Sequence, residues 1–335
     1  MKSIKIAIKA VLALSIAALA VTAGAALPPL AQPEHAITFG AVGMLINREN
    51  LNAMYNGFKT AFVKAFSGVQ PLWSQIATLV PSSAKTENYG WFGEFPRLRE
   101  WVGDRQVKSI SASGYAITNK KFEASIGVPR DDIDDDSYGV FTPLFQEMGY
   151  AAATHPDELV FSLLAAGFTT LCHDGQYFFD TDHPVGSGVA SNHGGGSGTP
   201  WFLLDTSRPL KPLIFQKRRE YDLKSMTDGK DEAVFMRDEY RYGVDARGNV
   251  GYGFWQMAFG SKVTLDATGY AAARSAMQSM KSDEGRPLGV RPNLLIVPPS
   301  LEAAAFAVVQ AEKLANGQDN PYYNTAKVLV APWLA

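Results

Sequence analysis

The chain has 335 residues, enough for one large domain or two of moderate size. Its 31 lysines and arginines nearly balance its 33 aspartates and glutamates, so the sequence lacks the basic excess typical of proteins that hold nucleic acid tightly. The single cysteine, Cys172, excludes an intramolecular disulfide and a zinc site built from several thiolates. Because Cys172 follows a predicted buried helix, we interpret it as a small core residue rather than a nucleophile.

The amino terminus is typical of a secretory signal peptide. It combines several lysines, the apolar run AVLALSIAALAV and the small residues Ala23–Ala25. The apolar run is short for a membrane span, and no later segment is long enough for one. After Pro33 the composition changes, and a polar segment compatible with a helix begins at Met44.

The next element is an amphipathic helix, predicted over residues 48–67. Its apolar residues recur at steps of three and four: Leu51, Met54, Phe58, Phe62 and Phe66. Such a face packs equally well on its own domain or on a partner.

The stretch NYGWFGEFPRLREWVGDR, residues 88–105, concentrates aromatic side chains among glycines, a proline and charges. Neither a helical nor a two-residue period can turn all of its rings to one buried face, so we expect part of the ring surface to contact something outside its own domain. Strand-like runs follow, at Val107–Ile110, Tyr115–Ile117 and Phe122–Ile126, and they indicate a long antiparallel excursion.

The acidic run RDDIDDDSYG lacks the glycine and distal glutamate of a calcium loop, and acidic residues here favour the start of a following helix. That helix is predicted from the apolar stripe beginning at Val140. We expect His155–Pro156 to interrupt it and a second stretch to restart through Leu164, giving one long, kinked helical element.

A loop with acidic and histidine side chains comes next: Asp174, Asp180, Asp182, His183 and His193. It could be the centre of a metal-dependent hydrolase, but its spacing matches no known set of zinc or iron ligands. A loop held by local hydrogen bonds is the favoured interpretation.

The carboxy-terminal half alternates predicted strands and helices. Strands are predicted at Leu213–Phe215, Val234–Met236, Tyr240–Gly243 and Phe254–Phe259, in the run NLLIV, and in VLVAPWL; helices are predicted at Ala267–Met280 and after Ser300, which we expect to cap its helix. The predicted class is mixed α+β, and no phosphate or dinucleotide motif accompanies any turn from strand to helix.

Several long segments resemble the major head subunit (T protein) family of Mu-like bacteriophages and prophages. They are YGWFGEFPRLREWVGDR, IGVPRDDIDDD, FQEMGYAAATHPDELVF, DGQYFFDTDHPV, LKPLIFQKRR and GYGFWQMA, and the resemblance runs from Met44 to Ala335. It implies a major capsid protein of the Hong Kong 97-type fold, with no catalytic site, cofactor or metal. The expected parts are an amino-terminal arm and helix (44–87), an extended hairpin loop (88–128), and peripheral and axial domains (129–335) with a long spine helix at Tyr138–Phe168.

The resemblance also implies partners. The chain would assemble with itself into hexamers and pentamers of an icosahedral shell, with a scaffold, a head-maturation protease and a portal as further partners and weak, non-specific contact with packaged DNA. The extended loop would lie across the next subunit through its rings and flanking charges: Tyr89, Trp91, Phe92, Phe95, Arg97, Arg99, Trp101 and Arg105.

Assembly in the bacterial host cytoplasm, without a membrane in the mature form, conflicts with the signal-like residues 1–43. We expect either that translation begins at Met44, so that these residues are a mis-called extension, or that they are removed during assembly. Two other functions stay open: a secreted or periplasmic metal-dependent hydrolase using the loop 174–193, and a tail or baseplate subunit, which would share self-assembly but not the family segments.

Overall fold

The computed structural model describes residues 47–90, 114–135, 138–314 and 316–335, all within the compact unit Gly43–Ala335. In this part of the chain the helices are α1 (Arg48–Gly68), α2 (Arg130–Asp134), α3 (Thr142–Ala165), α4 (Glu232–Arg237), α5 (Ala267–Gln278) and α6 (Glu302–Val309). The strands are β1 (Ala77–Pro81), β2 (Thr86–Asn88), β3 (Ala116–Thr118), β4 (Lys120–Pro129), β5 (His183–Val185), β6 (Gly188–Ala190), β7 (His193–Gly196), β8 (Trp201–Leu204), β9 (Leu213–Met226), β10 (Glu239–Tyr252), β11 (Ala258–Lys262), β12 (Leu294–Val297) and β13 (Lys327–Val330). Of the helices described, none has the length and apolar character to cross a membrane.

Helix α1 confirms the first predicted helix. The side chain of Asn47 caps it by accepting the backbone N–H of Asn50 at 2.8 Å. Its apolar stripe faces α3, and four of the five predicted residues on that stripe are buried. The helices meet where α3 has no side chain: a Cβ placed on Gly149 would lie 2.4 Å from the carbonyl oxygen of Phe62. Only glycine allows this approach.

Helix α3 runs through Pro156 without a break, so the predicted interruption and restart are wrong. Pro156 removes one backbone hydrogen bond, but it is itself buried, and buried residues on both sides of it, such as Ala153 and Val160, hold the helix against the rest of the fold. Short 3₁₀ turns at Tyr138–Phe141 and Ala166–Phe168 extend the helical element over the whole predicted range. The acidic run forms the separate helix α2 rather than capping α3, whose cap residue is Phe141.

A four-stranded sheet with the order β1-β9-β10-β4 packs on helices α1 and α3. Strand β1 is parallel to β9, and the other pairs are antiparallel. Strands β9 and β10 have 14 residues each and form a long hairpin. The rings of Phe58, Phe145 and Tyr242 join α1, α3 and the hairpin: the two phenylalanines stack at 4.1 Å and the tyrosine meets both edge-on at 5.3 Å.

A second, five-stranded sheet has the order β13-β12-β8-β11-β7, with β8 antiparallel to both of its neighbours. Its central strands β8 and β12 are fully buried. Helix α5 begins where Asp266 accepts the N–H of Gly269 at 2.7 Å, which agrees with the predicted helix start. The mixed α+β class predicted from the sequence is confirmed.

Some local predictions are wrong. Residues Val234–Met236 belong to helix α4, because a short apolar run carries no period and its flanking turns decide its structure. The segment predicted as a strand at Phe254–Phe259 begins with a 3₁₀ turn and becomes strand β11 only at Ala258. Ser300 lies in a 3₁₀ turn and makes no capping bond to α6. Residues 120–128, assigned to the extended loop, form strand β4 of the four-stranded sheet.

Candidate functional site

The described residues on the two sides of positions 91–113 pair with each other. Strands β2 and β3 pair so that Asn88 faces Ala116, and the N–H of Tyr89 donates to the carbonyl of Tyr115 at 2.8 Å. We call residues 86–89 and 115–119 the loop base. Residues 91–113, between its two halves, lie outside the described part of the chain.

Buried hydrogen bonds attach the loop base to the long hairpin. The hydroxyl of Tyr89 donates to Oε1 of Gln216 at 2.7 Å, and Nε2 of Gln216 donates to Oδ1 of Asn119 at 2.8 Å. Nδ2 of Asn119 continues the chain to Oγ of Ser82 at 2.7 Å, and that hydroxyl donates to Oε1 of Glu87 at 2.9 Å. Both side-chain amides in this hydrogen-bond network, those of Gln216 and Asn119, have partners for donor and acceptor, so the network holds the loop base in one arrangement.

The second half of the loop base rests on β10. The hydroxyl of Tyr115 accepts the backbone N–H of Tyr252 at 2.7 Å. Gly251 leaves room for the loop base, because a Cβ there would lie 2.2 Å from the side chain of Ile117 and 2.9 Å from the hydroxyl of Tyr115. Burial raises the pKa of Tyr89 and that of Tyr115 to about 12, so both hydroxyls remain protonated and available as hydrogen-bond partners at neutral pH.

This geometry corrects one predicted contact. Tyr89 is 3% exposed and packs with Ile117, Ile214 and Met257 of its own chain, so it anchors the loop rather than meeting a neighbour. The other predicted contact residues lie outside the described part of the chain and stay predictions: Trp91, Phe92, Phe95, Arg97, Arg99, Trp101 and Arg105. Sequence reasoning missed Gln216 and Asn119; the available signal was a polar residue directly after the three buried apolar residues that begin β9.

The loop proposed as a hydrolase centre contains a buried polar cluster, the His183 cluster, formed by Cys172, Asp174, His183 and Asn192. Nδ1 of His183 lies 2.7 Å from Oδ2 of Asp174, and its Nε2 lies 3.2 Å from Oδ1 of Asn192. The orientation of the Asn192 amide is fixed, since its Nδ2 donates to the carbonyl of Phe178 at 2.7 Å. The imidazole is fully buried and stacks on Trp255 with ring centroids 3.9 Å apart.

The electrostatics of the cluster follow from burial and hydrogen bonding. Burial alone would raise the pKa of Asp174, but bonds from His183 and Cys172 outweigh it and hold this pKa well below its ordinary value. The thiol of Cys172 donates to Asp174 at 3.0 Å, and burial together with that carboxylate raises the pKa of the thiol. Cys172 is therefore a protonated, unreactive thiol at neutral pH, as predicted for a core residue.

The arrangement does not suit catalysis. Both nitrogens of His183 face oxygen atoms of the protein, so neither is open to a substrate, and Asp174 stands between the thiol and the imidazole. Ligand atoms of Cys172, Asp174 and His183 lie within 4.8 Å of one another. Nδ1 of His183 and Oδ2 of Asp174, however, are at the hydrogen-bond distance of 2.7 Å, whereas two ligands at ~2.0–2.1 Å from one tetrahedral zinc would lie well over 3 Å apart. Of the other predicted residues, Asp180 caps its own turn by accepting the N–H of Thr181, Asp182 is exposed, and His193 packs edge-on against Phe168.

Known proteins share both sequence and fold with this chain. Residues 51–334 match the family described as Mu-like prophage major head subunit gpT. The chain is 43% identical over 274 residues to the Mu-like prophage FluMu major head subunit of Haemophilus influenzae, covering 78% of this chain and 89% of that protein. It is 40% identical over 305 residues to the major capsid protein of Escherichia phage Mu, covering 87% of this chain and 100% of that protein.

Solved structures agree. A chain of the bacteriophage JBD30 procapsid has a TM-score of 0.77 at 49% identity and covers 86% of this chain and 100% of its own length. A chain of the JBD30 capsid has a TM-score of 0.70 at 37% identity, with 87% and 100% covered. The Hong Kong 97-type fold expected from the resemblance is confirmed. The chain belongs to the Mu-like prophage major head subunit gpT family.

Proposed function

We infer that this chain is the major capsid subunit of a Mu-like phage head and that copies of it form the shell. The observation that carries this conclusion is that the family match and the shared fold with a shell subunit both extend over most of the chain. The described helices and sheets therefore form the body of one shell subunit.

The aromatic segment has the role of a clamp between subunits. Trp91, Phe92, Phe95 and Trp101 would lie across a neighbouring subunit, where each buried ring stabilises the contact by roughly 2–3 kcal/mol. Arg97, Arg99 and Arg105 would pair at the rim and fix the register of the contact. A loop can hold a neighbouring subunit only if its base is attached firmly to its own subunit. The buried hydrogen bonds from Tyr89 through Gln216 to Asn119 supply that attachment.

We assign no catalytic role to the chain. Its one cluster of histidine, thiol and carboxylate among the described residues is turned inward on itself, with His183 fully buried between Asn192 and Asp174. The cluster instead joins the loop 172–192, through the stack of His183 on Trp255, to the 3₁₀ turn that precedes β11.

The wider setting follows from the family. The subunits would form hexamers and pentamers in the host cytoplasm with a scaffold, a head-maturation protease and a portal, and the shell would contact packaged DNA weakly, in keeping with a net charge of -2.

Electron microscopy of the full chain, produced together with the proposed scaffold, tests the assignment, because a shell subunit then gives closed particles and a hydrolase does not. The double variant Trp91→Ala/Trp101→Ala tests the clamp: we expect unassembled subunits to melt as the parent does while particle formation fails. Trp201→Ala is the matched control, since this fully buried core ring should cost about 3–5 kcal/mol of unfolding free energy. A double variant that melts as poorly as this control would place the loop rings in the subunit's own core.

A further inference from the structure

The sequence contains the dipeptide Asn–Gly twice, at Asn56–Gly57 and at Asn316–Gly317. An asparagine side chain before glycine can react with its own main chain, because glycine has no Cβ to shield its backbone nitrogen. All four residues are exposed, so solvent reaches both dipeptides. The two differ in backbone structure, and that difference decides which of them can react.

The first dipeptide is held in a helix. Asn56–Gly57 lies in the middle of the 21-residue α1, where the N–H of each residue donates to the carbonyl four residues earlier. Helical hydrogen bonds form cooperatively, and the neighbouring Met54 and Phe58 are buried. The backbone nitrogen of Gly57 can therefore be freed only by opening a packed part of the helix.

The second dipeptide lies at the tip of a tight turn between α6 and β13. The N–H of Leu314 donates to the carbonyl of Gln318 at 2.8 Å, and the N–H of Gly317 donates to the carbonyl of Leu314 at 2.9 Å. Gly317 has a φ of 81°, the left-handed conformation that closes three-residue hairpin loops. Its nitrogen is freed when one hydrogen bond of an exposed turn opens, and such local opening costs little free energy.

The side chain of Asn316 makes its hydrogen bonds within the same turn. Its Oδ1 accepts the N–H of Gln318 at 3.1 Å, and its Nδ2 donates to Oε1 of Gln318 at 3.1 Å. The first bond draws electron density away from the side-chain carbonyl carbon, Cγ, and makes this carbon a better target for a nucleophile. Both bonds are exposed and join residues two positions apart, so they open together with the turn.

We propose that Asn316 is a site of spontaneous deamidation, independent of the proposed shell function. Hydroxide removes the proton from the backbone nitrogen of Gly317, and this nitrogen forms a bond to Cγ of Asn316. The side-chain nitrogen takes a proton from water and leaves as ammonia, which closes a five-membered succinimide ring. Water then adds to one of the two ring carbonyls and opens the ring to aspartate or to isoaspartate, in which the main chain runs through Cγ.

Either product adds a negative charge to a turn that already has acidic side chains. Glu312 and Asp319 flank the turn and are exposed, and the backbone of Asp319 pairs with that of Lys313. The base of the turn is tied to α6, because Nδ2 of Asn320 donates to the carbonyls of Val308 and Ala311 at 2.9 and 2.8 Å. We therefore expect the modification to change the surface of the turn while α6 stays in place.

Peptide mapping by mass spectrometry tests the proposal on the folded full chain, kept in warm, mildly alkaline buffer. The acid at position 316 should accumulate at least about tenfold faster than the acid at position 56. Fragmentation that distinguishes aspartate from isoaspartate should find both at position 316. An equal or slower reaction at position 316 overturns the proposal, and aspartate without isoaspartate would show direct hydrolysis by water instead of attack by the nitrogen of Gly317.

Two controls separate the effect of the turn from that of the dipeptide. In denaturant neither dipeptide has a fixed backbone, so positions 56 and 316 should react within about twofold of each other. A preference for position 316 that persists in denaturant overturns the role of the turn. Asn316→Gln lengthens the side chain by one carbon and disfavours the five-membered ring, so the acid at position 316 should disappear while the rate at Asn56 stays the same. Acid formation that continues in this variant contradicts the ring intermediate.

Discussion

The hydroxyl of Tyr89 donates to Oε1 of Gln216 across 2.7 Å, and this bond ties the residue beside the aromatic segment to the middle of the four-stranded sheet. Tyr89 therefore differs from the rings that follow it in sequence, because its side chain is bonded within its own subunit. Tyr89 belongs to the attachment of the loop, and the proposed clamp begins only beyond it.

Tyr89→Phe should destabilise the subunit by about 1–2 kcal/mol, because Oε1 of Gln216 then loses its donor inside the protein. Tyr323→Phe is the matched control: its ring is 48% exposed, so we expect a change below about 0.5 kcal/mol. Denaturant unfolding of unassembled subunits measures both. Equal stability of the two variants would show that the bond contributes nothing to the loop base.

The contact between α1 and α3 gives a paired test on glycine. Gly57 lies on the outer side of α1, where an added Cβ meets no described atom within 4 Å, so Gly57→Ala should stabilise the subunit by up to about 1 kcal/mol through helix propensity. Gly149→Ala gains the same propensity but drives a methyl group into the Phe62 carbonyl, and we expect net destabilisation. Thermal unfolding compares the two, and stabilisation by both would contradict the close approach of the helices.

The sequence predicts those parts of the structure that the local spacing of apolar residues determines. The residues Leu51, Met54 and Phe58 recur at helical steps and are buried as expected, since one face of a helix is enough to place them. The loop base escapes prediction because Asn119 and Gln216 are 97 residues apart and meet only after the sheet has formed. The sequence likewise groups Asp174 with His183, but not with the Trp255 ring that closes the cluster from another part of the chain.

Asp157 shows how a buried carboxylate can serve structure alone. It is 1% exposed in α3 and accepts the N–H of Trp73 at 2.5 Å. Burial raises its pKa, against the effect of the N–H groups of Trp73 and Leu72. Asp157→Ala should cost about 1–3 kcal/mol by leaving the N–H of Trp73 without a partner, while Asp157→Asn keeps an acceptor and should cost less than about 1 kcal/mol.

The pH dependence of Asp157 follows from the raised pKa. The folded chain takes up this proton before the unfolded chain does, so the parent should lose stability relative to Asp157→Asn as the pH rises through the ordinary value near 3.8. Unfolding free energies of the two proteins between pH 3 and 6 measure the difference. A constant difference would show that burial does not shift this group.

Asp174 should show the opposite pH dependence. Its pKa is lowered in the fold, so the unfolded chain takes up the proton first as the pH falls. Its bond to His183 therefore contributes fully above the ordinary pKa of 3.8 and is lost as the pH falls towards the folded-state value.

At pH 7, Asp174→Asn should cost about 2 kcal/mol, because a charge-assisted bond becomes a neutral one beside a fully buried ring. That cost should shrink as the pH falls below about 4, because the unfolded parent then takes up a proton while the carboxylate of the folded parent is still ionised. Asp182→Asn removes the same charge from an exposed position in the same loop and should stay within about 0.5 kcal/mol of the parent at pH 7. If the cost of Asp174→Asn were the same at pH 7 and pH 3, the pair would not act through the ionised carboxylate, and packing of His183 on Trp255 would account for the cluster's stability.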